Sequence, residues 1–298
     1  MQKIFFVLSK QLSSNLRKGV FLSILFMFAS VNLLCAASNI YADIPYNNQP
    51  LIARIIEDVY DFLLRALPSG SLLLFSPLLI LFAVCSAWFV AYLKIKKRIR
   101  TAYTRKIFHF MIFTMAGILQ ILVGLSGVVL FGCIVSLIVI FGVLKGRDYP
   151  FYEALARQKD EPYRSTFIIV PLITTAVGGV LANLLFYPFA YIGYFVCGWG
   201  DAVGEPVGAA WGKHQYKVPS WKGVKVTRSL EGSLAIFIVG TAITILTLLL
   251  SGYATFTSLL VGLACGLTGA FVEAVSTHGF DNLTVQIFVS CVAFFLLH

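Results

Sequence analysis

Acidic residues are scarce in this chain of 298 residues. Asp and Glu number 13 against 23 Lys and Arg, and charged residues make up only 12%. A soluble domain of this size cannot bury a sequence that is 59% hydrophobic with a mean hydropathy of +0.88, so the composition excludes a soluble globular protein and indicates a polytopic membrane protein. The sequence also lacks any CxxC pair. Its six cysteines, at 35, 85, 133, 197, 265 and 291, lie in or beside apolar runs. That placement excludes a disulfide framework or a zinc site and reads as small buried hydrophobes. The longest polar connection is 39–70, which leaves no separate soluble domain.

What the chain does have is apolar runs of about 20 residues, long enough to cross the hydrocarbon as helices. Nine can be placed, at 20–38, 71–93, 107–123, 126–144, 166–186, 188–211, 232–251, 255–272 and 282–298. The expected fold is therefore all-α, a transmembrane helix bundle of eight to nine spans. The lower count applies if the first run, which ends near the small residues of "CAASNIYA", is a secretory signal instead of a retained helix. Residues 1–99 form an N-terminal part with an extracytoplasmic loop at 39–70, and 100–298 form the core. Within that loop, "RIIEDVYDFLLRAL" mixes apolar and charged residues as an interfacial amphipathic helix does.

The net charge of +10 invites a nucleic-acid partner, but its distribution argues for a membrane instead. Lys and Arg concentrate at 94–106, 145–164 and 213–228, after the second, fourth and sixth spans. They share one side, which by the positive-inside rule is the cytoplasm. The N-terminus then lies in the cytoplasm too.

Beyond residue 161 only five acids remain: Asp201, Glu205, Glu231, Glu273 and Asp281. Each sits inside or at the edge of an apolar span, near the cytoplasmic ends of spans six to nine. Acids there are costly and face a cavity, a partner charge or a metal. Solvation by headgroups explains any one of them; five in glycine-rich strings read as a site. In "VCGWGDAVGEPVGAAWGKHQYK" the glycines 200, 204, 208 and 212 recur every fourth residue and form a helical stripe. Such a stripe permits close helix packing. Pro206 predicts a kink or break near Glu205. The string then leaves the membrane through Lys213, Lys217, Lys222, Lys225 and Arg228 without an acid.

Paired carboxylates beside an all-basic, glycine-bearing loop suit a nucleoside triphosphate with Mg²⁺, since the phosphates need cations and backbone donors and the metal needs oxygen ligands. "RSLEGS" adds Arg228, Ser229, Glu231 and Gly232; Ser229 can cap the following helix, whose N-terminus can receive an anion. "EAVSTHGFDN" adds Glu273, His278, Asp281 and Asn282, with Glu273 and Asp281 suited to hold metal or to deprotonate a hydroxyl. "TRKIFHF" places Arg105 and His109 four apart on one face, where interfacial snorkelling is the plainer alternative.

Together "RKIFH", "GDAVGEPVGAAWGKH", "RSLEGS" and "EAVSTHGFDN" resemble the membrane-embedded polyprenol kinase family, which includes phytol kinases, dolichol kinases and the CTP-dependent diacylglycerol kinase. "FYEALARQKDEPYRSTFIIVPL" looks like the connection before the fifth span in bacterial and plastid phytol kinase-like members. The resemblance covers roughly 100–298. It implies phosphorylation of a lipid alcohol from the bilayer (phytol, geranylgeraniol or another polyprenol) by a nucleoside triphosphate, CTP favoured, with Mg²⁺ or Mn²⁺. It also implies a bacterial inner membrane and a site on the cytoplasmic face. Carried onto this chain, the catalytic acids would be Asp201, Glu273 and Asp281, and the metal ligands Asp201, Glu205 and Glu273. The nucleotide would be held by Arg105, His109, Gly200, Gly204, Gly212, Lys213, Lys217, Arg228, Ser229, Glu231, Gly232 and Asn282. Three positions depart from the pattern. Arg228 replaces a Lys, which keeps the charge; Glu205 stands where many members have a small or apolar residue; His278 stands where Arg is expected. A cytidylyltransferase forming CDP-lipids is the second enzymatic reading, and a cation- or proton-coupled transporter using Asp201 and Glu205 is the reading from another class.

Overall fold

A computed structural model describes residues 50–219 and 226–298. The run at 20–38, Lys222 and Lys225 lie outside the described residues. The chain divides into two compact units, 1–65 and 66–298. The described residues of the first, from Leu51 on, belong to the amphipathic helix α1 (Leu51–Ala66), which ends one residue past the division and carries Arg65 in its last turn.

The second unit is a helical bundle. After a short α2 (Gly70–Leu74), capped by the Ser69 hydroxyl, come α3 (Ser76–Ile95), α4 (Thr101–Leu122) and α5 (Leu125–Lys145). A short α6 (Pro150–Leu155) and a 3₁₀ turn (Gln158–Asp160) lead to α7 (Thr166–Phe186). Next are α8 (Ala190–Phe195), a π-helical stretch (Val196–Gly200) and α9 (Asp201–Trp211). Strands β1 (Gln215–Val218) and β2 (Val226–Ser229) form an antiparallel hairpin pairing Gln215 with Ser229 and Val218 with Val226. The chain ends in α10 (Leu230–Leu250), α11 (Thr255–Val275) and α12 (Asp281–Leu297).

Six of these helices, α3, α4, α5, α7, α10 and α11, are long and apolar enough to cross a membrane. Only 28–39% of the most apolar stretch of each is buried within the protein. The remaining apolar side chains, such as Trp88, Leu137, Leu250 and Phe271, face outward, which is the arrangement a hydrocarbon solvent requires. The protein is an all-α membrane bundle.

Two elements differ from the sequence expectation. The run at 188–211 is not one continuous α-helix, and its irregularity lies at Val196–Gly200, not at Pro206, which α9 carries in its interior. The reason is packing: a Cβ at Gly198 would strike Phe113 of α4, and one at Gly200 would lie 2.9 Å from Ile236 of α10. The widened π turn fits where two neighbouring helices press closest. The last run is a shorter helix of 17 residues, Asp281–Leu297.

Two buried clusters organise the bundle. One joins α3, α4, α5 and α6 around Phe108, Phe131 and Phe151; the other joins α8, the π turn, α10, α11 and α12 around Ile192, Val196 and Leu248. Helix pairs in lipid gain little from the hydrophobic effect and rely on small residues for close approach. Accordingly, α10 and α11 meet at Gly240 and Gly266, where a Cβ on Gly240 would lie 3.3 Å from the Gly266 Cα. A Cβ at Gly266 would stand 2.7 Å from both the Phe237 carbonyl and the Thr241 amide, neither of which can yield. Gly266→Val is therefore expected to cost about 1–3 kcal/mol of stability through overpacking, read as a lowered Tm in detergent. Gly132→Ala, at a position with open space around it, should leave Tm unchanged; equal Tm values for both variants would refute the seam.

Candidate active site

The first turns of α4 are fixed by buried threonines. Thr101 and Thr104 donate from their hydroxyls to the carbonyls of Glu153 and Ala154 on α6, at 3.1 and 2.7 Å. This anchors the helix end that carries Arg105, Lys106 and His109. Lys106, 5% exposed, forms ion pairs with Asp201 and, at 3.1 Å, with Glu205. Asp201 opens α9 directly after the π turn, so the broken helix points it at α4. The His109 ring is 3.7 Å from the second Asp201 oxygen.

Glu205 is surrounded by cations. Besides Lys106, the guanidinium groups of Arg105 and Arg157 lie 3.4 and 3.6 Å from its carboxylate. Arg157 is buried and donates to Asp160 at 2.8 and 3.2 Å. It also meets Nε2 of His278 at 2.6 Å. An arginine can only donate, so this ring nitrogen is the acceptor and carries no proton. Burial, with the Arg157 charge adding to it, holds His278 down to about 3, so the ring is neutral at physiological pH.

Arg228 organises the opposite wall from the end of the hairpin. Its Nε lies 2.7 Å from the Glu273 carboxylate and Nη2 lies 3.1 Å from Asp281. Nη1 donates to the backbone carbonyls of Glu273 and of Ser276, the latter at 2.9 Å. One side chain thus ties β2 to the end of α11 and the start of α12. The His278 amide, donating to the Pro219 carbonyl at 3.0 Å, adds a second tie.

Asp201, Glu273 and Asp281 each offer a carboxylate oxygen, and these oxygens lie within 4.8 Å of one another. An all-oxygen trio of partly buried carboxylates fits a hard divalent cation. Glu205 is not part of that trio, although the sequence pattern suggested it as a ligand beside Asp201 and Glu273.

Two cavities meet here. A polar one of about 880 Å³ is bordered by the cations Arg105, Lys106, Arg157, Lys159 and Arg228 and by Asp201, Glu205, Glu273 and Asp281. An apolar one of about 810 Å³ runs between α4, α5 and α7, past Ile112, Val135, Val139 and Leu172. Arg105, Lys106, Asp201, His278 and Asp281 border both.

The other residues singled out in the sequence are distributed as follows. Gly204, Ser229 and Gly232 border the polar cavity. Gly204 and Gly232 also let α9 and α10 touch backbone to backbone, a Cβ at Gly232 standing 2.8 Å from the Gly204 carbonyl. The Ser229 hydroxyl caps α10 by accepting from Gly232 N at 3.1 Å. Gly200 packs on Ile236 and Gly212 against Ser229 and the Gly208 carbonyl, outside the cavity lining. Lys213 and Lys217 are exposed and do not border it. Glu231 accepts from the His214 backbone at 3.3 Å and pairs with its ring at 2.8 Å, locking hairpin to α10. Asn282 borders the apolar cavity and donates to Thr175 at 2.8 Å.

Sequence reasoning passed over Lys106, Arg157, Lys159 and Asp160. Each stands in a basic segment, where the positive-inside pattern already accounts for cations. The available signals were spacings: Lys106 lies three before His109 on one face of α4, and Arg157 lies three before Asp160, across a single turn.

A 99-residue stretch of the chain is 33% identical to phytol kinase from Synechocystis sp., covering 33% of this chain and 40% of that protein. The match spans well under half the length of that curated relative. No family model and no solved structure matches.

The buried Arg157 charge is expected to matter more than an exposed one. Removing one partner of a buried pair leaves the other uncompensated, at a cost of about 3–5 kcal/mol, whereas an exposed pair contributes about 0–1 kcal/mol. Arg157→Met should lower Tm strongly. Arg147→Met, which deletes the exposed 2.8 Å pair with Glu161, should barely change it. A reversed order would contradict the buried network.

Proposed function

We propose that this protein is an integral membrane kinase that transfers a phosphoryl group from a nucleoside triphosphate, CTP by preference, to the hydroxyl of a lipid alcohol. The observation that carries this reading is the meeting of a cation-lined polar cavity with an apolar cavity at Asp201 and Asp281. Phosphates and an isoprenoid chain have opposite solvation needs, and few reactions require both to end within one bond length of each other. The similarity to a phytol kinase supports the same reading, with phytol, geranylgeraniol or another polyprenol as acceptor.

In this scheme the nucleotide arrives from the cytoplasm and its phosphates are held by Arg105, Lys106, Arg157, Lys159 and Arg228, with Gly204 and Gly232 on the floor. The exposed Lys213 and Lys217 draw the anion toward the opening. Asp201, Glu273 and Asp281 would hold Mg²⁺, or Mn²⁺ in its place. When bound, the ion neutralises charge on the transferred group. Glu205 serves as counter-charge to the three cations around it. The alcohol oxygen attacks the terminal phosphorus and a new P–O bond forms. The bond from phosphorus to the bridging oxygen breaks, releasing the nucleoside diphosphate, and the hydroxyl proton passes to one of the two carboxylates bordering both cavities. Catalysis rests on positioning and on charge neutralisation away from bulk water.

The test is transfer of label from γ-labelled CTP or ATP to a panel of lipid alcohols by the purified protein with Mg²⁺. Lipid monophosphate is the expected product; formation of a CDP-lipid with pyrophosphate release when a lipid phosphate is supplied in place of the alcohol would establish the cytidylyltransferase instead. Asp201→Asn and Glu273→Gln should each abolish transfer while retaining a folded melting profile. Near-normal turnover in both variants would remove these residues from the site.

A further inference from the structure

His109 lies on the apolar side of the junction. It borders the apolar cavity together with Asp201, and it does not border the polar one. Lys106, three residues before it, borders both cavities and is already paired with Asp201 and Glu205. The His109 ring is held in place by Phe113, one helical turn on, at a centroid distance of 4.2 Å. Its Nε2 is buried without a hydrogen-bond partner. The gap of 3.7 Å to the Asp201 oxygen is too long for a good hydrogen bond between them. A single oxygen atom can nevertheless reach both at about 2.8 Å, because two groups 3.7 Å apart fit within the span of two such bonds. A buried polar atom with no partner, at the mouth of an apolar cavity, is costly unless something that arrives there satisfies it.

We propose that His109 is the acceptor-binding residue: its Nε2 hydrogen-bonds the hydroxyl of the alcohol lying in the apolar cavity and brings that oxygen beside Asp201. This rests on the lipid-kinase reading and reassigns His109 from the nucleotide, where the sequence pattern put it, to the acceptor. A neutral imidazole nitrogen can accept from a hydroxyl or donate to it, whereas the flanking Arg105 and Lys106 can only donate. The Phe113 contact fixes the ring plane, so the hydroxyl meets a defined direction and not a mobile group.

The experiment uses the full-length protein in mixed micelles, with geranylgeraniol as acceptor and Mg·CTP as donor. Acceptor kinetics are measured at saturating CTP, and CTP affinity is measured separately by equilibrium binding without acceptor. His109→Phe keeps the ring and loses the hydrogen bond. It is expected to lower kcat/KM for geranylgeraniol by about 10- to 100-fold, the range for one buried hydrogen bond. The Kd for Mg·CTP should stay within about twofold. His109→Gln, which restores a polar atom at similar reach, should recover part of the loss and provides the readout if the phenylalanine variant does not fold. If the wild type transfers phosphate and His109→Phe, or His109→Gln in its place, instead weakens CTP binding, His109 belongs to the nucleotide and the proposal fails. Unchanged acceptor kinetics in the folded variants also overturn it. If the wild type phosphorylates no lipid alcohol from CTP or ATP, the kinase reading itself falls and takes the assignment with it.

Discussion

Charge balance in a place that water reaches poorly is the constraint on which this structure depends. Four carboxylates, Asp201, Glu205, Glu273 and Asp281, sit where apolar helices converge, and none is left uncompensated: Lys106 and Arg228 between them reach all four, and Glu205 has Arg105 and Arg157 beside it as well. Removing any carboxylate from water is expensive without such pairing. The pairing also determines which elements must meet. Arg228 can satisfy Glu273, Asp281 and two carbonyls only if the hairpin, α11 and α12 come together. Arg157 can reach Asp160, His278 and Glu205 only if the turn before α7 folds inward.

The cations serve two partners in turn on the proposed reading. The groups that neutralise carboxylates in this structure are the groups that would face phosphates. A guanidinium suits both because its fork of donors matches either anion. Arg228 is the most constrained of them: its five donors are already largely engaged by the end of α11, the turn after it and α12, so its principal contribution is to hold Glu273 and Asp281 together beside the phosphates. A cation placed on an exposed strand, such as Lys217, has no such architectural duty.

The bundle and the acids were legible in the sequence for one physical reason: apolar length and misplaced charge both carry a free-energy cost that selection rarely tolerates without purpose. Hence 71–93, 126–144, 166–186 and 232–251 correspond closely to α3, α5, α7 and α10. Glu273 and Asp281, eight residues apart in sequence, could be grouped with Asp201 before any coordinates. Lys106 and Arg157 were harder to see, because a cation on the basic side of a membrane protein is unremarkable and only its tertiary partners make it informative. The hairpin was hidden for a related reason. Tyr216 and Val218 alternate with Gln215 and Lys217 in strand fashion, but the lysines dominated the segment. Pro206 pointed to a break, yet contacts from α4 and α10 put the irregularity at the glycines before it; that choice is tertiary.

The glycine seams have a consequence for how the molecule can fail. Lipid tails solvate an apolar helix as well as another helix does, so insertion and association are separate events governed by different residues. A larger side chain at Gly178, where a Cβ would stand 3.0 Å from the Leu283 backbone, leaves both helices hydrophobic and content in the bilayer. What it removes is their adjacency. The two cavities exist only as the space between neighbouring helices, so such a lesion would erase the site while leaving every one of its side chains intact and every span in the membrane.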